Sequence, residues 1–130
     1  MRYLLLILLL FTTGCGSNTA AVERVLNDYA LAASNQSDLE AYLSGAALDS
    51  AQQSKDLIAE LGLTSFGASS FSQTRQLGPQ EFQSCLDVSQ TSFRTSSGNP
   101  IELERIERQL VEIYVVDQKV ADLNLLGSPC

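Results

Sequence analysis

Several residue types are missing from this chain, and their absence limits its chemistry. The sequence has no histidine and no tryptophan, and its one methionine is Met1. Without an imidazole there is no histidine-based catalytic triad, no histidine general base and no histidine-containing zinc site. Those classes of enzyme and metal centre are excluded. Any proton transfer would have to use a carboxylate, a tyrosine, a lysine or a cysteine.

Basic residues are also scarce. Eight Lys and Arg stand against 15 Asp and Glu, which gives a net charge of −7. Nucleic-acid binding needs clustered cations, and electrostatic adhesion to anionic headgroups needs a polybasic segment. The composition therefore predicts no nucleic-acid partner and no electrostatic binding to membranes. With 45% hydrophobic and 18% charged residues, the chain has the composition of a globular protein and the length of one domain.

An apolar run occupies the N-terminus. Arg2 precedes eight apolar residues at positions 4–11, and Gly14 and Cys15 follow shortly afterwards. Eight helical residues span about 12 Å, whereas the hydrocarbon core of a bilayer is about 30 Å thick. The run is therefore typical of a cleaved signal peptide and is too short for a transmembrane helix.

A small residue directly before a cysteine resembles the lipobox of bacterial lipoproteins, although Thr12 stands where that family usually carries an aliphatic residue. The resemblance implies a signal peptide over residues 1–14 and acyl chains on Cys15 that bind the membrane. Residues 15–18 would be the lipidated N-terminus and a flexible tether, and residues 19–130 a single domain. The protein would be anchored at the bacterial cell membrane, facing the periplasm or the cell exterior. The alternative is a plain secretory signal that leaves Cys15 as an ordinary thiol.

If Cys15 carries lipid, Cys85 and Cys130 remain as a pair. An even pair of cysteines in an exported protein most often forms a disulfide, and this pairing is the prediction. The alternative is a nucleophilic or metal-bound thiol, which needs a base or further ligands nearby. The sequence shows neither.

The apolar spacing predicts helices in the first half of the chain and strands in the second. Val22, Leu26 and Tyr29 recur at helical spacing, and a capping-box pattern at residues 37–40 starts a short second helix. The predicted helices cover residues 19–34, 38–44 and 46–61. The predicted strands cover residues 71–77, 82–95, 102–116 and 120–126. A mixed charge run at residues 102–108 is interpreted as solvent-exposed strand. The fold class is α+β, with three N-terminal helices on a curved, antiparallel four-stranded sheet.

The opening helix at residues 22–29, the short helix at 39–43 and the closing hairpin at 110–125 resemble the nuclear transport factor 2-like superfamily. That cone-shaped fold is also described as cystatin-like or polyketide-cyclase-like. The resemblance implies a pocket between the sheet and the helices, lined here by Tyr29, Tyr42, Phe71, Phe82, Val111 and Ile113. The superfamily contains isomerases and cyclases as well as non-catalytic binding and assembly domains, so the fold alone does not fix the function.

Three carboxylates are candidates for proton transfer. Asp28 precedes Tyr29 on the first helix, and adjacent helical residues point about 100° apart, so we expect Asp28 at the edge of the core. Asp87 should lie on the exposed face of its strand. Glu112 interrupts an apolar strand and would need a cation beside it if buried. We expect none of the three to be a buried base, and we assign no catalytic residue, no cofactor and no metal site.

Two functions follow from these observations. The preferred hypothesis is a lipid-anchored, non-catalytic binding or assembly domain of the bacterial cell envelope. Its partners would be the membrane, through the acyl chains on Cys15, and an envelope protein or a small apolar ligand. A second copy of the chain is a further candidate partner. The alternative is a membrane-anchored, isomerase- or cyclase-like enzyme that acts on a small apolar substrate. A carboxylate facing into a deep pocket would favour the enzyme.

Overall fold

The computed structural model describes residues 15–130, with side chains from residue 18 onward. The predicted signal peptide, residues 1–14, lies outside the described residues, and so does the side chain of Cys15. The first helix begins at Cys15, so the backbone of residues 15–18 is helical. Within the described part of the chain, no helix combines the length and the apolar character needed to span a membrane.

The described residues form an α+β fold in which two helices precede seven strands. The helices are α1 (Cys15–Ser34) and α2 (Gly45–Glu60). The strands are β1 (Thr64–Phe66), β2 (Ser70–Gln76), β3 (Glu81–Asp87), β4 (Ser92–Arg94), β5 (Pro100–Ile101), β6 (Arg108–Val116) and β7 (Lys119–Pro129). They build a main sheet in the order β2-β3-β6-β7 and a small sheet in the order β1-β4-β5, both antiparallel. The α+β class is confirmed. Two helices are present where three were predicted, and two sheets where a single four-stranded sheet was predicted.

The predicted short helix at residues 38–44 is a single turn. Asp38 Oδ1 accepts a hydrogen bond from the Glu40 backbone N–H at 3.0 Å, which makes a local Asx turn. The Leu43 N–H donates to the Leu39 carbonyl at 2.9 Å, but no helix follows from it. Leu43 instead forms an isolated parallel bridge with Val120 of β7. Pairing with the sheet therefore replaces the second turn that a helix would need.

The predicted long strand at residues 82–95 is divided between the two sheets. β3 ends at Asp87, the Thr91 N–H donates back to the Val88 carbonyl at 3.0 Å, and β4 then pairs with β1. The backbone at Gly67, just after β1, passes close to the backbone at Gln90, between β3 and β4. A Cβ on Gly67 would lie 1.9 Å from the Gln90 carbonyl oxygen, and Gly67 has φ +78°. Only glycine fits there. Residues 102–107, predicted as the start of the third strand, are not strand because they cross from the small sheet to the main one.

The hydrophobic core lies between α1 and one face of the main sheet. Val22, Leu26 and Ala30 form the buried stripe of α1 at the i, i+4, i+8 spacing of a helix face. The stripe packs on the inner face of the sheet, to which β6 contributes Val111 and Ile113 while Glu112 lies exposed on the outer face. The buried core residues are Val22, Leu26, Ala30, Leu43, Ala47, Phe71, Phe82, Val111, Ile113 and Val120.

Helix α1 also holds the edge of the main sheet through side-chain hydrogen bonds to strand backbone. Asn27 Nδ2 donates to the Phe71 carbonyl at 3.0 Å, and Asn27 Oδ1 accepts from the Phe71 N–H at 2.8 Å. Glu23 Oε2 accepts from the Thr74 N–H at 3.3 Å, beside a register shift between Ser72 and Arg75. The edge strand β2 is thus paired on its open side by helix side chains, which fix the position of Phe71.

The predicted disulfide is present. Cys85 of β3 and Cys130 are bonded, with their Cα atoms 6.0 Å apart and a sequence separation of 45. Strand β6 lies between β3 and β7, so the bond passes over β6. The Cys130 N–H donates to the Arg108 carbonyl of β6 at 3.2 Å, which places Cys130 next to that strand. Cys85 is fully buried. On the chain-entropy model, closing a loop of this length stabilises the fold by about 4 kcal/mol.

Candidate functional site

An open groove of about 600 Å³ lies beside the core, and we call it the main groove. Its walls come from the C-terminal half of α1, one face of α2, the turn between the helices, both sheets and the segment after β5. Ligand sites in proteins commonly enclose about 300–1,000 Å³, so the main groove has room for one small ligand.

The floor of the main groove is apolar. Ala30, Leu43, Ala47 and Phe71 line it and are buried. Further apolar side chains line the walls at intermediate exposure: Leu39, Ala51, Ile58, Leu63, Leu86, Val88, Phe93 and Leu123. Because Phe71 is held by Asn27, the floor is fixed by the same contacts that fix the edge of the main sheet.

Helix α2 keeps the groove open because five of the seven lining residues on the face that it presents are alanine or serine. The lining residues of that face are Ala47, Ser50, Ala51, Ser54, Lys55, Ile58 and Ala59. They follow helical spacing, so they share one side of α2. Alanine and serine are too short to reach across to α1, so the space between the two helices stays open.

The charges around the main groove have one sign. Lys55 and Arg105 line it, and no carboxylate does, although the chain as a whole carries a net charge of −7. Arg105 donates from Nη1 to Thr91 Oγ1 at 2.8 Å and from Nη2 to the Thr91 carbonyl oxygen at 2.6 Å. Hydroxyl groups make up most of the remaining polar lining: Ser34, Ser37, Ser50, Ser54, Ser65, Ser69 and Thr91. An apolar floor is therefore bordered by hydroxyls and two cations.

Among the titratable residues that line the main groove, Tyr29 is the one whose pKa is shifted by burial. Desolvation raises the pKa of its phenol above 10.0. The hydroxyl therefore stays protonated at neutral pH and can donate a hydrogen bond, but it does not act as a base there.

The residues predicted to line one pocket are divided between three places. Tyr29 and Phe71 line the main groove. Phe82 lines a second, smaller cavity of about 220 Å³ near the start of α1, together with Asn18 and Val22. The predicted pocket residues therefore do not form a single site.

Tyr42, Val111 and Ile113 line neither cavity. Val111 and Ile113 are 0% and 2% exposed, because the α1 stripe around Leu26 packs directly on this part of the sheet. Tyr42 packs against the edge of the core. The region expected to be a hollow cone is filled, and the open space lies to its side, between α1 and α2.

The three candidate carboxylates lie outside both cavities. Asp28 and Glu112 are exposed. Asp87 has a pKa below its ordinary 3.8, mainly because the side chain and then the backbone N–H of Ser89 donate hydrogen bonds to it, with a smaller contribution from Arg108. Arg108 Nε lies 3.7 Å from Asp87 Oδ2. Among the described residues, no three metal-ligating side chains come together.

No protein-family model, curated protein or solved structure matches this chain.

Proposed function

We propose that this protein is a lipid-anchored, non-catalytic binding domain of the bacterial cell envelope that holds its ligand in the main groove. The observation that carries the proposal is the lining of that groove: an apolar floor, a border of hydroxyls and cations, and no carboxylate. The nuclear transport factor 2-like relationship belongs to the proposal and is supported by the packing of α1 on an antiparallel sheet.

The position of the groove is compatible with anchoring at the other end of α1. Gly14 and Cys15 supply the lipobox-like ending, and α1 begins at Cys15 itself. Tyr29, at the groove, follows Cys15 by 14 residues, which is about 21 Å along a helix. Acyl chains on Cys15 would therefore hold one end of the domain at the membrane and leave the groove free to take a ligand.

The isomerase- or cyclase-like alternative lacks a base in the groove. Proton transfer needs a titratable group within hydrogen-bond reach of the substrate, with its pKa near the working pH. The titratable side chains in the lining are Tyr29, Lys55 and Arg105, and burial moves the pKa of Tyr29 away from neutrality. This lining suits binding better than catalysis.

The anchor is tested by labelling cells that express the full chain with an alkyne-bearing fatty acid. Wild-type protein should be labelled and should fractionate with membranes, and Cys15→Ser should lose both properties. Ser17→Ala is the control and should behave as wild type. Equal labelling of wild type and Cys15→Ser would contradict the anchor.

The binding site is tested with a photo-crosslinking amino acid at Ser54, which lines the main groove, and at the exposed neighbour Gln53, which does not. Irradiation of membranes followed by mass spectrometry of the purified chain should show a small-molecule adduct at position 54 and none at 53. Equal adducts at both positions, or none at either, would contradict a ligand in the groove.

A further inference from the structure

The two cations of the main groove are free of carboxylate partners. Lys55 has uncharged residues at its helical i±3 and i±4 positions, Ala51, Gln52, Ile58 and Ala59. Neither Lys55 nor Arg105 forms a salt bridge with a described residue. In a chain with 15 carboxylates and 8 bases, chance would more often place acids than bases around a cavity of this size. The lining of the main groove is therefore positively charged, whereas the chain as a whole is negatively charged.

The guanidinium of Arg105 is held in place before any ligand arrives. Its two terminal nitrogens donate to Thr91 at 2.8 and 2.6 Å, and the Thr91 hydroxyl donates to the Val88 carbonyl at 2.7 Å. Each of these terminal nitrogens has a second N–H, and Nε–H is also free, so part of the donor fork remains for another acceptor. A fixed guanidinium loses little conformational entropy on binding an anion, and its fork matches the two oxygens of a carboxylate.

From this arrangement we infer that the main groove binds a long-chain carboxylate, a fatty-acid-like amphiphile whose hydrocarbon chain lies on the apolar floor and whose head group meets Lys55 and Arg105. The inference rests on the proposed function, because it names the ligand of the same groove. The chain would cover Phe71 and Leu43, and the hydroxyl border would solvate the head group. A neutral amphiphile would gain the floor contacts without the charge interactions, and a cationic one would be repelled.

The absence of tryptophan makes a direct binding measurement practical. In the full, lipidated chain in lipid nanodiscs, Ser54→Trp provides one fluorophore at the groove, and Gln53→Trp provides a matched one on the exposed side of α2. The probes are dodecanoate with a bromine atom on its chain, which quenches indole fluorescence on contact, and the corresponding bromododecanol. Bromododecanoate should quench Trp at position 54 saturably and about 10- to 25-fold more tightly than the alcohol, since two solvent-accessible ion pairs each contribute about three- to fivefold. Trp at position 53 should show no saturable quenching.

Charge variants in the Ser54→Trp background identify the cations. Lys55→Gln should weaken bromododecanoate binding about three- to fivefold and leave the alcohol unchanged, whereas Lys119→Gln, outside the groove, should change neither. Raising the salt concentration should weaken binding of the acid only. Equal affinity for acid and alcohol would overturn the inference and leave a groove that binds apolar chains regardless of charge. Absence of saturable quenching by both probes would also overturn it, and the crosslinked adduct at position 54 would then decide the proposed function separately.

Discussion

Asn27 offers a direct measure of how strongly α1 holds the edge of the main sheet. Its amide makes a reciprocal pair of hydrogen bonds with the backbone of Phe71, at 2.8 and 3.0 Å, and a third within the helix to the Glu23 carbonyl at 3.1 Å. Asn27→Ala leaves the Phe71 N–H and carbonyl without these partners at a half-buried position. Leaving a buried polar group unpaired costs about 1–3 kcal/mol, and water reaches part of this site. We therefore expect the free energy of unfolding to fall by about 2–4 kcal/mol.

Urea denaturation followed by far-ultraviolet circular dichroism measures this loss. The midpoint should fall with an unchanged slope, which separates lost stability from a change in the denatured state. Asp28→Ala, at the exposed neighbouring position, is the control and should remain within about 0.5 kcal/mol of wild type. Asn27→Asp keeps the acceptor for the Phe71 N–H but sets a carboxylate oxygen against the Phe71 carbonyl, so it should also destabilise at neutral pH. An Asn27→Ala variant as stable as wild type would refute this account of the edge.

Two further predictions concern the disulfide and Asp87. Reducing Cys85–Cys130, or replacing both residues by alanine, should lower the free energy of unfolding by about 4 kcal/mol, measured by thermal and urea unfolding; an unchanged melting temperature would show that the bond constrains nothing. The folded, unreduced protein should contain no free thiol from this pair. The folded pKa of Asp87 lies below its ordinary 3.8, so its carboxylate contributes stability above that pH and loses it as the pH falls through the folded pKa. Asp87→Asn should thus be less stable than wild type at pH 7, with the difference shrinking towards pH 2, and a difference independent of pH would contradict the assignment.

Local patterns predicted the elements that contact the core, and they failed where distant pairing decides the structure. The stripe of α1 shows helical spacing because one face of that helix is buried, and β6 shows alternation over Val111 and Ile113 for the corresponding reason. The prediction of the disulfide came from the pair of cysteines that remains if Cys15 carries lipid. The break between β3 and β4 depends on pairing with β1, which lies more than twenty residues earlier in the chain, and the short polar strands of the small sheet carry little alternation of their own. The predicted helix at residues 38–44 was wrong because the residues that would cap it also suit an Asx turn.

The candidate site was harder to predict than the fold. Periodicity shows which face of an element points inward, but not whether the space on that side is filled. Val111 and Phe71 were therefore both predicted to line the pocket, but of these two only Phe71 lines the main groove. One usable signal was present: the face of α2 that includes Ser50 and Ser54 consists mostly of alanine and serine, which is too small to close a gap. Arg105 had no local signal, because it belongs to a charged run and is brought to the groove by its bonds to Thr91.

The bond across β6 also determines how the protein responds to mechanical load. If the chain is held at Cys15 and pulled at Cys130, the force runs along the backbone to Cys85 and then through the two sulfur atoms. The loop from Cys85 to Cys130, a sequence separation of 45 that includes β4 to β7, carries no tension. As long as the disulfide is oxidised, the chain cannot gain the roughly 150 Å of length that this loop would supply when extended. Only the segment from α1 to Cys85 can then lengthen. In a reducing environment the disulfide would break, and the same pulling force could then extend the loop from Cys85 to Cys130 as well.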